Sequence, residues 1–337
     1  MFFIHNHSAD ASLLAGALVA ACRLPTGWVE PIQIEWLDTL FGGLLDFHED
    51  FEILEPARPA DVKRQLPSPE QREELIELMV SLVMFCNPIP KPLCRSVEQW
   101  AEALDVNSDA LVIMGDLAHH RQDLATHNWY RHSWIGRDVM QRADQAAQLK
   151  THGTMALALS FEADRQEAER WRQLKDSPPG SLGKSLHQMH EGMNFKLPGE
   201  PGATNASLAK HEWVHTITGI NASPLGEIAV AAYIAAAGRS AETTLAFLGT
   251  ISIFQASLLN YHTAQSQTEA LARYPRYGGA LAEKGGLDLL LAAIQYGMLC
   301  PVNPVKDLDY FAIANQPLLE IRTQWHLPAA GLSLHPN

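Results

Sequence analysis

The spacing of its apolar residues confines this chain to helices. Between positions 12 and 46, Leu13, Leu14, Ala17, Leu18 and Ala21 recur at intervals of about three and four, and after Pro25-Thr26-Gly27 the pattern resumes with Ile32, Trp36, Leu37, Leu40 and Leu44. That period lays apolar side chains along one stripe of an α-helix, whereas a half-buried strand alternates with period two. Positions 70–104 repeat the pattern with Leu75, Leu78, Met79, Leu82 and Val83, a proline-rich break, then Val97, Trp100 and Leu104. A shift of 64 positions pairs Leu14 with Leu78, Leu18 with Leu82, Val19 with Val83, Cys22 with Cys86, Val29 with Leu93, Trp36 with Trp100 and Leu40 with Leu104, while Gln33 falls opposite Val97. Agreement at spaced core positions predicts two related helical hairpins.

The helical character continues from Ser108 to about Lys175, where His119, His120, His127 and His132 fall among Trp129, Tyr130 and Trp134. These histidines read as surface or core residues. Positions 162–175 mix charges of both signs at helical spacing, as a solvated face does, and Ser177-Pro178-Pro179-Gly180 ends it. The most apolar stretch, Ile228 to Leu259, is broken by Gly238-Arg239-Ser240-Ala241-Glu242, leaving pieces shorter than the roughly 20 residues of a spanning helix. Two buried helices are expected there. The fold class is therefore all-α and multi-helical. A length of 337 residues suggests about two domains, divided near Asn107 into 1–107 and 108–337.

Charge and cysteine content narrow the function classes. The net charge of −13, from 38 acidic and 25 basic residues, disfavours nucleic acid as the main partner, because phosphate binding needs a surplus of Lys and Arg. Four cysteines without a C-x-x-C pair form neither a disulfide scaffold nor a thiolate zinc site, so a reducing, cytoplasmic setting is expected. The start, Met1-Phe2-Phe3-Ile4-His5-Asn6-His7, has no basic region before its apolar residues and gives no secretory signal. Peripheral association with a membrane stays compatible with this composition.

Among 15 histidines, two carry a specific chemical claim. Lys210-His211-Glu212-Trp213-Val214-His215 contains H-E-x-x-H. Residues four apart on a helix differ by about 40°, so His211 and His215 stand one turn apart and can reach one metal ion from the same side. Glu212 is open to two roles, a third ligand or a catalytic base for water on the metal. Twelve residues beyond His215, after a loop with two glycines and a proline, comes Glu227 at the start of the next helix, where its carboxylate can complete a mixed shell. This donor set suits a divalent ion, with zinc, iron and magnesium all open.

The peptidase reading of H-E-x-x-H fits poorly. In the metzincin pattern the glycine position holds Thr218 and the third histidine position holds Asn221, and Glu227 follows too soon for a gluzincin. The set His211-Glu212-x-x-His215, eleven intervening residues and Glu227 instead resembles the H-D-x-x-H-x(11)-E motif of the Coq4 family of ubiquinone-biosynthesis proteins. Its flanks are similar too. His215-Thr216-Ile217-Thr218-Gly219-Ile220 resembles H-T-L-L-G-M, and Gly226-Glu227-Ile228-Ala229-Val230 resembles G-E-(I/V)-x-(V/L). Pro178-Pro179-Gly180-Ser181-Leu182-Gly183 resembles P-E-G-(S/T)-L-G, and Leu319-Glu320-Ile321-Arg322 looks like the closing helix. The resemblance spans roughly positions 108–328. The duplicated hairpins before it resemble the TerB-like domain, although the acidic turns of that family are replaced by Cys22-Arg23-Leu24-Pro25 and Cys86-Asn87-Pro88-Ile89-Pro90.

The Coq4 resemblance implies a helical, metal-dependent protein acting on a prenylated aromatic or quinone precursor, with oxidative removal of a ring carboxyl group as the associated step. It implies His211, Glu212, His215 and Glu227 as metal ligands, zinc as the usual ion, and an isoprenoid or other apolar small molecule as partner. Glu212 stands where the family has Asp, and the stretch Tyr261 to Gly286 reads as an insertion. Apolar helices around 228–259 would hold the tail. Such chemistry is of lyase or oxidoreductase type. The alternatives are a non-catalytic lipid-binding scaffold of a biosynthetic complex, with the metal structural, and a zinc metallopeptidase. A protein complex and a homo-oligomer are both compatible with the sequence. The TerB-like resemblance implies an interaction or docking unit.

Overall fold

A computed structural model describes residues 10–86, 88–255 and 279–332. Among the described residues the chain forms 17 α-helices and no strand, as the periodicity requires. Met1–His7, the end of the apolar segment at Leu259, and most of the Tyr261–Gly286 stretch lie outside the described residues.

The expected hairpins are α1 (Ala11–Cys22) with α2 (Pro31–Leu45), and α4 (Pro69–Val83) with α5 (Lys91–Ala103), joined by the short α3 (Pro59–Gln65). Pro occupies the first turn of α2, α4 and α5, where its missing N–H costs nothing. Leu14, Leu18, Trp36 and Leu40, with their counterparts Leu78, Leu82, Trp100 and Leu104, are all buried. Gln33, the polar mismatch, is buried as well, and its Nε2 donates to Leu82 O at 2.8 Å. The site where the repeat fails is thus a satisfied core hydrogen bond.

Helices α6 (Asp109–Ala118), α7 (Gln122–His132), α8 (Trp134–Gln141) and α9 (Ala143–His152) follow, then α10 (Arg165–Gln173) and α11 (Leu182–Gly192). In α10, Trp171 is buried while Arg170 and Arg172 pair with Glu167 and Glu169 on the outer face. His119, His120 and His127 are exposed and His132 pairs with Asp109 at 2.7 Å. Helices α12 (Lys210–Thr218), α13 (Pro224–Gly238), α14 (Ala241–Phe254) and α15 (Gly286–Leu299) come next, and the short α16 (Tyr310–Ile313) and α17 (Leu318–Gln324) close the described chain.

Helix α13 is buried nearly all round, as its unbroken apolar sequence demands. It packs against α12, α14 and α15. At the α15 contact a Cβ on Gly297 would lie 2.6 Å from Tyr233 O, so only glycine allows this approach. Position 107 falls in the connection between α5 and α6. Packing crosses it: α4 touches α14, α2 touches α15, and Ser252 Oγ lies 3.4 Å from Met84 Sδ. Core residues on both sides of this connection belong to one contiguous cluster. No helix among the described residues is long and apolar enough to cross a membrane.

Candidate metal centre

Helix α12 is held at both ends by side chains from distant segments. Before it, Asn205 accepts from Leu208 N at 2.8 Å and donates to Ala156 O at 3.1 Å. At its first residue, Lys210 Nζ meets Asp138 of α8 at 2.6 Å. At its far end, Arg322 of α17 donates to Ile217 O at 2.8 Å and Thr216 O at 3.2 Å, satisfying the last carbonyls with a cation where the helix dipole favours one. Gly219 then turns the chain with φ 73°. Ser223 caps α13 by accepting from Gly226 N at 3.1 Å. A Cβ on Gly226 would lie 1.8 Å from Asn221 O, so the loop folds directly onto the first turn of α13. That contact places Glu227 beside α12.

The result is a buried trio. The ligand atoms of His211, His215 and Glu227 all lie within 4.8 Å of one another. His211 Nε2 is 3.5 Å from Glu227 Oε2, and His215 Nε2 is 3.5 Å from Glu227 Oε1. Two ligands about 2.1 Å from a tetrahedral ion are separated by about 3.4 Å, so these spacings suit one ion between them. His211 Nδ1 lies 2.5 Å from Leu208 O and His215 Nδ1 lies 3.0 Å from Ile220 O. A carbonyl only accepts, so each Nδ1 carries the proton and each Nε2 is turned towards the centre. His215 Nε2 and Glu227 Oε1 are buried without a hydrogen-bond partner, which leaves them for a cation. The residues present therefore fit a divalent metal ion. Two imidazoles and one carboxylate are also the ligand number of catalytic sites that keep a position open.

The electrostatics agree. Burial opposes a charged imidazole at His211, yet the Glu212 and Glu227 carboxylates outweigh it and push His211 up to about 9. Burial likewise opposes a charged Glu227, but the neighbouring His215 and His211 hold its carboxyl far below the usual range. The carboxylates of the pocket thus favour a positive charge at its centre, whether a proton on an imidazole or a cation.

Glu212 stands apart from the trio. Its Oε1 lies 3.5 Å from His211 Nε2, and its Oε2 is buried without a partner. Beyond it, His190 on α11 packs its ring 5.3 Å from that of Trp171, and neither ring nitrogen has a partner. Burial pushes His190 down while the Glu212 charge acts in the opposite direction. No local pattern marks His190, which sits on an ordinary amphipathic helix and gains meaning only from the packing of α11 on α12.

Opposite Glu212, the trio opens on an apolar pocket. Trp129 and Trp134 form one wall, Val230 and Ile234 of α13 a second, and Ile253 and Phe254 of α14 a third, with His211 and Glu227 at the polar end. The cavity they enclose is small, about 40 Å³. The aromatics of the His-rich segment line this pocket, whereas its four histidines do not. No family model, curated protein or solved structure matches the chain.

Proposed function

We propose that this protein is a Coq4-like, metal-dependent enzyme that acts on a prenylated aromatic or quinone precursor in ubiquinone or related biosynthesis. The observation that carries this reading is the position of the trio: two of its three side chains, His211 and Glu227, form the polar end of a mostly apolar pocket. His211, His215 and Glu227 hold the ion, with zinc favoured by the family resemblance and iron or magnesium compatible with the donors. A bound divalent ion supplies Lewis acidity to an oxygen on the ring. The walls of α7, α13 and α14 exclude water from that oxygen and hold the apolar remainder of the molecule. Glu212, whose Oε1 lies 3.5 Å from His211 Nε2 and whose Oε2 has no partner, is the group that takes or returns a proton beside the trio.

Two further observations support the family resemblance. The segments that resemble it, around Gly180, His211, Glu227 and Arg322, lie far apart in sequence but converge. Leu318 N donates to Gly180 O at 3.0 Å, and Arg322 caps α12. The alternatives fit less well. A structural zinc is normally closed by four protein ligands. A narrow apolar pocket offers few backbone partners to an extended peptide, which disfavours a peptidase.

Metal analysis of the purified protein, with His211→Ala and Glu227→Ala beside it, tests the reading. About one ion per chain is expected in the wild type and a loss in both variants. Unchanged metal content in both overturns it. Solvent extraction of the native protein is expected to release an apolar aromatic molecule.

A further inference from the structure

A second cavity lies beside the metal centre and takes no part in it. It is lined by α8, the first residue of α12, the start of α14 and the segment 303–306, and at about 320 Å³ it is far larger than the apolar pocket. The two share one lining residue, Trp134. Volumes of about 300–1,000 Å³ are typical of small-molecule sites. Charge sets this cleft apart from the hydrocarbon walls next door. Arg137 meets Glu242 at 2.9 Å and Lys210 meets Asp138 at 2.6 Å, so two of its cations are each matched by a carboxylate. The third cation, Lys306, is exposed and makes no salt bridge among the described residues.

Both carboxylates of the cleft feel this positive surround. Burial opposes the charge of Glu242, yet a hydrogen bond from Ser240 and the Arg137 and Lys306 charges hold its carboxyl below the usual range. Burial opposes the charge of Asp138 as well, and Lys210, Ser207 and Arg142 hold it low. The lining thus carries three positive and two negative charges at neutral pH, and one positive charge is left over in a chain whose net charge is −13.

We propose that this cleft binds a small polar monocarboxylate, with the Lys306 ammonium paired to its carboxylate. This assignment is independent of the quinone reading of the metal centre. One surplus cation matches one carboxylate, whereas a second negative charge on the ligand would have to break the Arg137 or Lys210 pair. Gln141 and Asn303 add neutral hydrogen-bonding groups to the lining, so the body of the ligand carries hydroxyls rather than a hydrocarbon tail.

Equilibrium dialysis of the full chain with three radiolabelled probes tests this: gluconate, the neutral polyol sorbitol and the dianion glucose 6-phosphate. Gluconate should bind at least about tenfold tighter than sorbitol, and tighter than glucose 6-phosphate. Lys306→Ala, at an exposed position that leaves the fold intact, should weaken gluconate about tenfold through the loss of one charge-assisted hydrogen bond, and sorbitol by less than about twofold. Glu242→Gln, which frees Arg137 for the ligand, should tighten gluconate. Gluconate bound no better than sorbitol overturns the site. Gluconate binding that neither variant changes places the anion elsewhere, the metal centre included, and overturns it too. Tighter binding of glucose 6-phosphate than of gluconate overturns the monocarboxylate assignment.

Discussion

Zinc binding should be steeply pH-dependent above neutrality, in a way that an ordinary histidine site is not. A ligand imidazole must give up its Nε2 proton, and in the metal-free pocket the Glu212 and Glu227 carboxylates, against the opposing effect of burial, push His211 up to about 9. At that value about 1% of His211 is deprotonated at pH 7 and about 9% at pH 8. The apparent affinity therefore rises about ninefold over that interval, equivalent to about 1.3 kcal/mol. An imidazole with the usual value of about 6.5 would give only about 1.3-fold. Competition with a chromophoric zinc chelator in non-coordinating buffers measures the ratio. Calorimetry in two buffers of different ionisation enthalpy counts the proton released. Glu212→Gln removes the carboxylate that raises His211 most, so the ratio in that variant should shrink towards the ordinary value. A wild-type ratio below twofold with no proton released would refute the electrostatic account of the trio.

Two other perturbations follow from burial and packing. Glu77 of α4 is buried, and burial pushes its carboxyl from 4.5 up to about 7. The folded state holds its proton longer than the unfolded chain, so the penalty is absent below pH 4.5, grows as pH rises, and is complete above about 7 at about 3 kcal/mol. Glu77→Gln should accordingly stabilise the protein at pH 8 and not at pH 4.5, as read by urea unfolding, and an equal gain at both values would count against this cause. Gly226→Ala places a Cβ on Asn221 O and must displace the loop that sets Glu227 beside α12. Zinc affinity should fall at least about tenfold while helical content is kept, and undiminished affinity would show that the loop does not position the ligand.

What could be read in the sequence was whatever depends on local spacing. The four-residue interval of His211 and His215 needs only a helix, and Gly219, Pro224 and Gly226 marked the turn that returns Glu227. The hairpins α1–α2 and α4–α5 were legible because their core stripes are regular and their breaks contain proline. Features set by distant packing were not legible. That α2 lies on α15 and α4 on α14 depends on complementary surfaces rather than on any local pattern. The segment from His119 to Trp134 shows the limit most plainly: its histidines lie at the surface, as expected, but nothing local marked the tryptophans between them as lining the pocket. Helical phase alone does not say which stripe meets α14.

The two faces of the trio differ, and the difference bears on function more than the ligand set does. Towards α7, α13 and α14 His211 and Glu227 meet largely hydrocarbon. Towards α11 they meet Glu212 and His190, which between them bury Glu212 Oε2, His190 Nδ1 and His190 Nε2 without partners. Each such group costs about 1–3 kcal/mol when left unsatisfied. Holding an ion does not require His190, since a leucine at position 190 would pack against Trp171 without that cost. A scaffold with a purely structural metal has no use for the expense. An enzyme has, because polar atoms that the fold leaves unpaired around a metal are available to a ligand that brings its own oxygens and protons.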